Sequence, residues 1–261
     1  QGIFGGLLTP FIYLDSIREM ITTRTDVVGS LLRPSELLKA QQDFASGAIT
    51  QAAFKTIEDR AVDQVVLLQE EAGLEVLTDG EMRRQSFQSQ MTEAVDGFGE
   101  YTLDAFLWGN WKGDKEVGDR TLERPTTLGV VRKITRKRHL SVAEYTYLSG
   151  RTSQTPKVTL PSPSLFANFW SPERSKKAYP ILDSFLADIV DILREEVAEL
   201  TRRGATYIQL DAPHYCLLLD PKTRAFYESQ GWSPDRWLSL GIEMDNTVIG
   251  DYPTVTFGFH L

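Results

Sequence analysis

Val255-Thr256-Phe257-Gly258-Phe259-His260-Leu261 is an apolar, strand-like run that carries a histidine to its tip. A parallel strand of a (β/α) barrel delivers catalytic side chains at its C-terminal end, where a neutral imidazole is also a good metal ligand. Three earlier apolar stretches end in the same way. Asp26-Val27-Val28 runs into Gly29-Ser30, Leu74-Glu75-Val76-Leu77-Thr78-Asp79 into Gly80-Glu81, and Thr206-Tyr207-Ile208-Gln209-Leu210 into Asp211. Helical patterns lie between them. One starts near Ser35, which suits an N-cap. A second runs from about Gln51 to Ala72 with Phe54, Ile57, Ala61, Val65 and Leu68 on one face, and Gly73 ends it. A long helix carries Ile181, Leu182, Phe185, Leu186, Ile189, Ile192, Leu193, Val197 and Leu200, and another spans roughly Pro234 to Asn246. With Lys157-Val158-Thr159-Leu160 as a further strand, strand and helix alternate five times, which predicts an α/β fold with a parallel sheet. Residues 94–152 interrupt that order and read as an inserted strand excursion.

The bulk composition sets broad limits. The chain has 261 residues, 41% hydrophobic and 25% charged, enough for a sizeable core in one domain. A formal charge of -8 argues against a nucleic-acid surface. The single Cys216 excludes an internal disulfide framework. Residues 2–14 are apolar but lack a basic leader and are too short to span a bilayer. Residue 1 is Gln and the first Met is Met20, so the chain reads as a fragment, with residues 1–20 a tail or upstream segment and 21–261 a partial barrel. No phosphate-cradling glycine loop, Ser-His-Asp arrangement or dinucleotide fingerprint is present.

Each polar strand end has a plain structural reading beside the functional one. Gly29-Ser30 suits an ordinary turn, and Glu81 lies close to Arg83 and Arg84, which would make an ion pair. Asp211, if buried, must be paired or serve a ligand. His260 could be a satisfied core histidine. Cys216 reads as a small apolar filler, and its spacing from His214 is not that of a zinc site. The basic run Arg132 to Arg138 reads as a solvated strand face, and Trp108, Trp111 and Trp170 as packing residues or pocket walls.

As an ordered set, these motifs resemble a known family. They are Thr22-Thr23 with Val28-Gly29-Ser30, then Gln69-Glu70-Glu71-Ala72-Gly73 leading to Asp79-Gly80-Glu81-Met82-Arg83-Arg84, then Ile208-Gln209-Leu210-Asp211-Ala212-Pro213, and finally Gly258-Phe259-His260. The set resembles the catalytic barrel of cobalamin-independent methionine synthase. The resemblance implies a TIM-like (β/α)8 barrel of the methionine synthase/uroporphyrinogen decarboxylase type, with about the first five strands present. It implies a cytoplasmic enzyme acting on small molecules, with no nucleic-acid or membrane partner. The reaction would be zinc-dependent methyl transfer from 5-methyltetrahydrofolate (polyglutamate) to homocysteine. A zinc-bound thiol loses its proton and becomes a nucleophile at neutral pH. By the same resemblance Gly29, Ser30, Glu81 and Asp211 hold the amino acid, Arg84 and Trp170 lie on the folate side, and His260 is the first zinc ligand. His260 alone cannot build a tetrahedral site, so this chain is expected to bind zinc weakly or not at all and to be inactive alone. Two departures keep other readings open. The family's Asp-Glu-Pro is here Asp211-Ala212-Pro213, and the Trp170 segment matches only with a one-residue offset. The alternatives are a zinc alkyltransferase using another thiol or donor, such as coenzyme M or a corrinoid, and a non-catalytic amino-acid-binding module.

Overall fold

Four strands form a parallel sheet in the computed structural model, which describes residues 25–85, 89–100, 128–229 and 232–261. They are β1 (Val76–Leu77), β4 (Thr155–Pro161), β5 (Tyr207–Asp211) and β6 (Thr256–His260), in the order β1-β4-β5-β6. Strand order follows chain order without the reversal of a doubly wound sheet. The register sets Pro161 beside Asp211 and Asp211 beside His260, so the polar strand ends line one edge. In β4 and β5 nearly every residue is buried, as expected of parallel strands covered on both faces.

The covering comes mainly from α5 (Leu182–Arg202), whose apolar stripe from Phe185 to Leu200 is buried. It packs with α8 (Pro234–Ile249) and a 3-10 turn, Pro163–Phe169, into one core cluster. A smaller core joins α1 (Ser35–Ala45), α2 (Gln51–Glu71) and β1 through Leu37, Val62, Val66 and Leu77. Gly73, at φ +77, ends α2 in the left-handed conformation that only glycine adopts without cost. Two further helices, α6 (His214–Leu217) and α7 (Pro221–Ser229), follow β5.

A separate two-stranded sheet lies between β1 and β4 in the chain. β2 (Val95–Glu100) pairs antiparallel with β3 (Leu128–Arg136), preceded by α3 (Ser89–Ala94) and followed by α4 (Val142–Ser149). Its basic residues face acids. Lys133, Arg136, Lys137 and Arg138 pair with Asp188, Glu195, Asp96 and Glu93. Exposed pairs of this kind contribute at most about 1 kcal/mol each.

Several expectations need correction. Residues 26–30 do not form a buried strand: Val28 is 44% exposed and no ladder pairs the segment. Its polar groups bond elsewhere, Val28 O to the Gln209 amide and the Asp26 carboxylate to Lys157 Nζ. The described sheet therefore has four parallel strands, and an eight-stranded closure is not observed. Ser35 is the first helical residue, and Pro34 occupies the N-cap with φ −58. Cys216 is exposed rather than a core filler. Thr22, Thr23, Trp108, Trp111 and the expected tail lie outside the described residues.

A buried polar network ties α8 to the ends of β4 and β5. Ser162 Oγ and Tyr215 Oη donate to the two oxygens of Asp245, at 2.7 and 2.8 Å. Ser164 Oγ lies 2.7 Å from His214 Nε2 and 3.3 Å from Tyr215 Oη. Tyr215 reaches Asp245 because residue 241 is glycine, where a Cβ would stand 2.4 Å from the phenol oxygen. Gly241→Ala is expected to displace Tyr215 and cost about 1–3 kcal/mol in urea unfolding. A loss under about 0.5 kcal/mol would show that the ring moves aside freely.

Candidate functional site

The turn after β1 is built from its own side chains. Thr78 Oγ1 accepts from Gly80 N at 3.1 Å and Asp79 Oδ1 from Glu81 N at 2.9 Å. Gly80 and Glu81 both take positive φ, +64 and +55. For a glutamate this conformation costs about 1–2 kcal/mol, and it persists only where the surroundings enforce it. Here Arg33 Nη2 donates to the carbonyls of Glu81 and Arg84, and Leu31 N donates to Gly80 O. The strained turn delivers a buried carboxylate to the sheet edge. Glu81 Oε1 accepts from Arg84 Nη1 and Thr159 Oγ1, both at 2.9 Å, and Oε2 accepts from Ser30 Oγ.

Arg84 is itself buried and uses all five of its N–H groups. Nη1 serves Glu81 and Thr159 Oγ1, Nη2 serves Glu144 and Thr159 O, and Nε serves Glu144. Glu144, on α4, also accepts from Gln90 Nε2 at 2.7 Å. Burial pushes the Glu144 carboxyl up to about 7, with Arg84 opposing and Asp79 adding to the rise. A void of about 10 Å³ lies between Gly29, Asp79, Glu81, Arg84, Glu144 and Lys157, room for one water rather than a substrate.

Asp211 ends β5. Its Oδ1 accepts from Gln209 Nε2 at 2.7 Å and lies 3.1 Å from His260 Nδ1. Gln209 Oε1 in turn accepts from the buried Lys157 Nζ at 2.8 Å. Burial pushes the Asp211 carboxyl up, the Gln209 bond opposes this, and the charge of Glu81 adds to the rise. Glu81 and Asp211 thus share one electrostatic environment. With Nδ1 turned to Asp211, His260 leaves Nε2 as its outward nitrogen. Metal-bound histidines commonly donate their second ring nitrogen to a carboxylate in this manner. Yet among the described residues no group of three or more His, Cys, Asp or Glu could hold a metal. One donor does not make a zinc site.

The description "Cobalamin-independent synthase, Catalytic domain" matches residues 20–234, most of the chain. The chain belongs to this family. Among its relatives are the uncharacterized proteins YxjH and YxjG of Bacillus subtilis, 27% and 29% identical over 91% and 88% of this chain. The chain spans 61% and 58% of their respective lengths. A methionine synthase of Pyrococcus abyssi is 30% identical over 72% of this chain and 51% of its own length. A B12-independent methionine synthase from Shewanella sp. W3-18-1, solved with selenomethionine, shares the fold with a TM-score of 0.60 and 20% identity. That alignment covers 82% of this chain and 53% of the other.

Within this synthase-family chain the structure brings Ser30, Glu81, Asp211 and His260 toward one end of the sheet. Gly29 lines the same void. Arg84 reaches the site but is wholly engaged with Glu81, Glu144 and Thr159, so it has no N–H left for a folate. Trp170 stands apart: its indole Nε1 donates to Tyr179 O at 3.0 Å and its ring packs against the main core. Sequence reading missed Glu144, Gln90, Thr159, Lys157 and Gln209. For the last three a signal existed. Lys157 and Thr159 in β4, and Gln209 and Asp211 in β5, sit two apart in apolar strands and so share one face.

Proposed function

We propose that the intact protein transfers a methyl group from a methylated folate to homocysteine, and that this chain supplies the amino-acid half of the site. The observation that carries the reading is the pair Glu81 and Asp211. Asp211 is bonded only to an amide and an imidazole among the described residues, with no lysine or arginine paired to it there. Two carboxylates in one environment suit a ligand's ammonium group, since Arg84 is shared with Glu144 and Arg33 is bonded to backbone carbonyls rather than to either acid. In this reading Ser30 and the backbone at Gly29 meet the ligand's carboxylate. His260 touches Asp211, so the sulfur-bearing part of the amino acid has an imidazole beside it. The family's zinc would use His260 Nε2 together with donors that the described residues do not provide. The roles assigned to this chain are therefore binding and orientation. Coenzyme M fits less well, because a sulfonate thiol without an ammonium group is repelled by both acids.

Isothermal calorimetry of the 261-residue chain with L-methionine tests the reading. Wild type should bind, and failure to bind would overturn the amino-acid assignment. Gly29 gives a sharper check, since an added Cβ meets nothing within 4 Å among the described residues. Gly29→Ala is expected to change unfolding stability by under about 0.5 kcal/mol. It should nonetheless weaken methionine binding about tenfold, because glycine there permits close approach of a ligand to the backbone. Unchanged affinity would remove Gly29 from the site. For the intact protein, methylfolate-dependent methylation of homocysteine, with coenzyme M as the comparison thiol, separates the two transferase readings.

A further inference from the structure

We propose that Glu144 is a positioning residue for Glu81, acting through Arg84. The inference rests on the amino-acid reading of Glu81 and deepens it. Glu144 Oε2 accepts from Arg84 Nε at 3.1 Å, from Arg84 Nη2 at 2.9 Å and from Gln90 Nε2 at 2.7 Å. Two anchored nitrogens fix the guanidinium plane, and that plane aims Nη1 at Glu81 Oε1 and Thr159 Oγ1. Through these bonds Glu144 decides how Arg84 divides its charge. When Glu144 is ionised, one guanidinium faces two carboxylates and Glu81 keeps negative charge for an ammonium group. When Glu144 is neutral, Arg84 neutralises Glu81 alone and the ammonium loses its partner.

The groups facing Glu144 set where this exchange falls. Arg84, Asp79 and Glu81 come from the turn after β1, Lys157 from β4 across the small void, and the neutral Gln90 and Ser141 from α3 and the start of α4. Burial places the Glu144 carboxyl near 7, so the division of charge changes around neutrality.

The test compares wild type with Glu144→Gln, which keeps the side-chain shape and an acceptor oxygen for Arg84. L-methionine is the probe, because it has no thiol to titrate and its amino group stays protonated across the range used. Wild-type affinity should rise about three- to tenfold from about pH 6 to about pH 7.5, while Glu144→Gln binds weakly and loses most of that rise. A merely structural role would lower affinity without flattening the profile. Equal affinities and parallel profiles would overturn the proposal and leave the amino-acid site standing. If wild type does not bind methionine at all, the amino-acid reading falls, and the relay is judged without ligand. In protein labelled with 13C at glutamate carboxyls, Glu144→Gln should move the Glu81 carboxyl resonance, and an unmoved resonance would overturn the coupling. Circular dichroism confirms that both proteins are folded.

Discussion

Below about pH 6.5 the protein is expected to lose about 1.4 kcal/mol of stability per pH unit on account of one residue, His214. The imidazole is 1% exposed, and burial pushes its pKa down to about 3 from 6.5. Its Nε2 faces Ser164, but Nδ1 is buried with no partner among the described residues. The neutral ring with its proton on Nε2 fits, donating along Ser164 and Tyr215 toward Asp245. A second proton would place a charge on an atom that nothing solvates. The sign follows from linkage. Above about pH 6.5 neither state binds the extra proton and the contribution is intact; between about 6.5 and 3 only the unfolded chain binds it, so acid favours unfolding. Urea titrations at a series of pH values, set against His214→Gln, isolate the term. The stability gap between wild type and variant should narrow by that slope as pH falls. Parallel acid limbs would mean that His214 is solvated in the native state.

Glu196→Ala is expected to cost about 3–5 kcal/mol, because Glu196 is the cap of a helix in another part of the chain. This glutamate lies in the middle of α5 and is fully buried. Its Oε1 accepts from Ser141 N at 2.7 Å and Val142 N at 3.1 Å, its Oε2 from Leu140 N at 2.9 Å, and His139 Nδ1 lies 2.9 Å from Oε2. Ser141, at the N-cap of α4, makes no capping bond of its own. Truncation therefore leaves three buried backbone donors unsatisfied, each costing about 1–3 kcal/mol. Chemical unfolding measures the cost, and Glu196→Gln should fall between wild type and alanine. Since α4 carries Glu144, methionine affinity should fall along with stability. A cost under about 1 kcal/mol would show that water replaces the carboxylate.

What the sequence made legible follows from periodicity. The stripe from Phe185 to Leu200 and the short apolar runs ending at Asp211 and His260 became α5, β5 and β6 nearly as read, because each pattern is imposed by burial along one element. Asp26–Ser30 looked like another such run, but its partners turned out to be side chains of β4 and β5 and the turn at Gly80, a tertiary arrangement that no local pattern encodes. The polar networks were hidden for a related reason. Glu144, Gln90 and Glu196 lie on three helices, and the His214 network draws on β4's exit, β5's exit and α8. Each is an unremarkable polar residue until the fold brings the others to it. Arg84 stands out in the sequence for its place in a motif, but the motif does not encode its direction, which is inward to the acids.

Gln209 separates Lys157 from Asp211 by a single amide whose two ends are chemically unlike. Its oxygen faces the lysine and its nitrogen faces the aspartate. A carboxylate at this position would pair with the lysine but set a second negative charge against Asp211. The amide instead accepts from the lysine and donates to the aspartate, so neither neighbour meets a like charge. Asp211 is thereby insulated from the cation one step beneath it, and its charge is left to be balanced from the open side of the sheet. The same asymmetry predicts selectivity without any contact to the ligand's side chain: apart from His260, positive charge beside Asp211 has to come from what binds there.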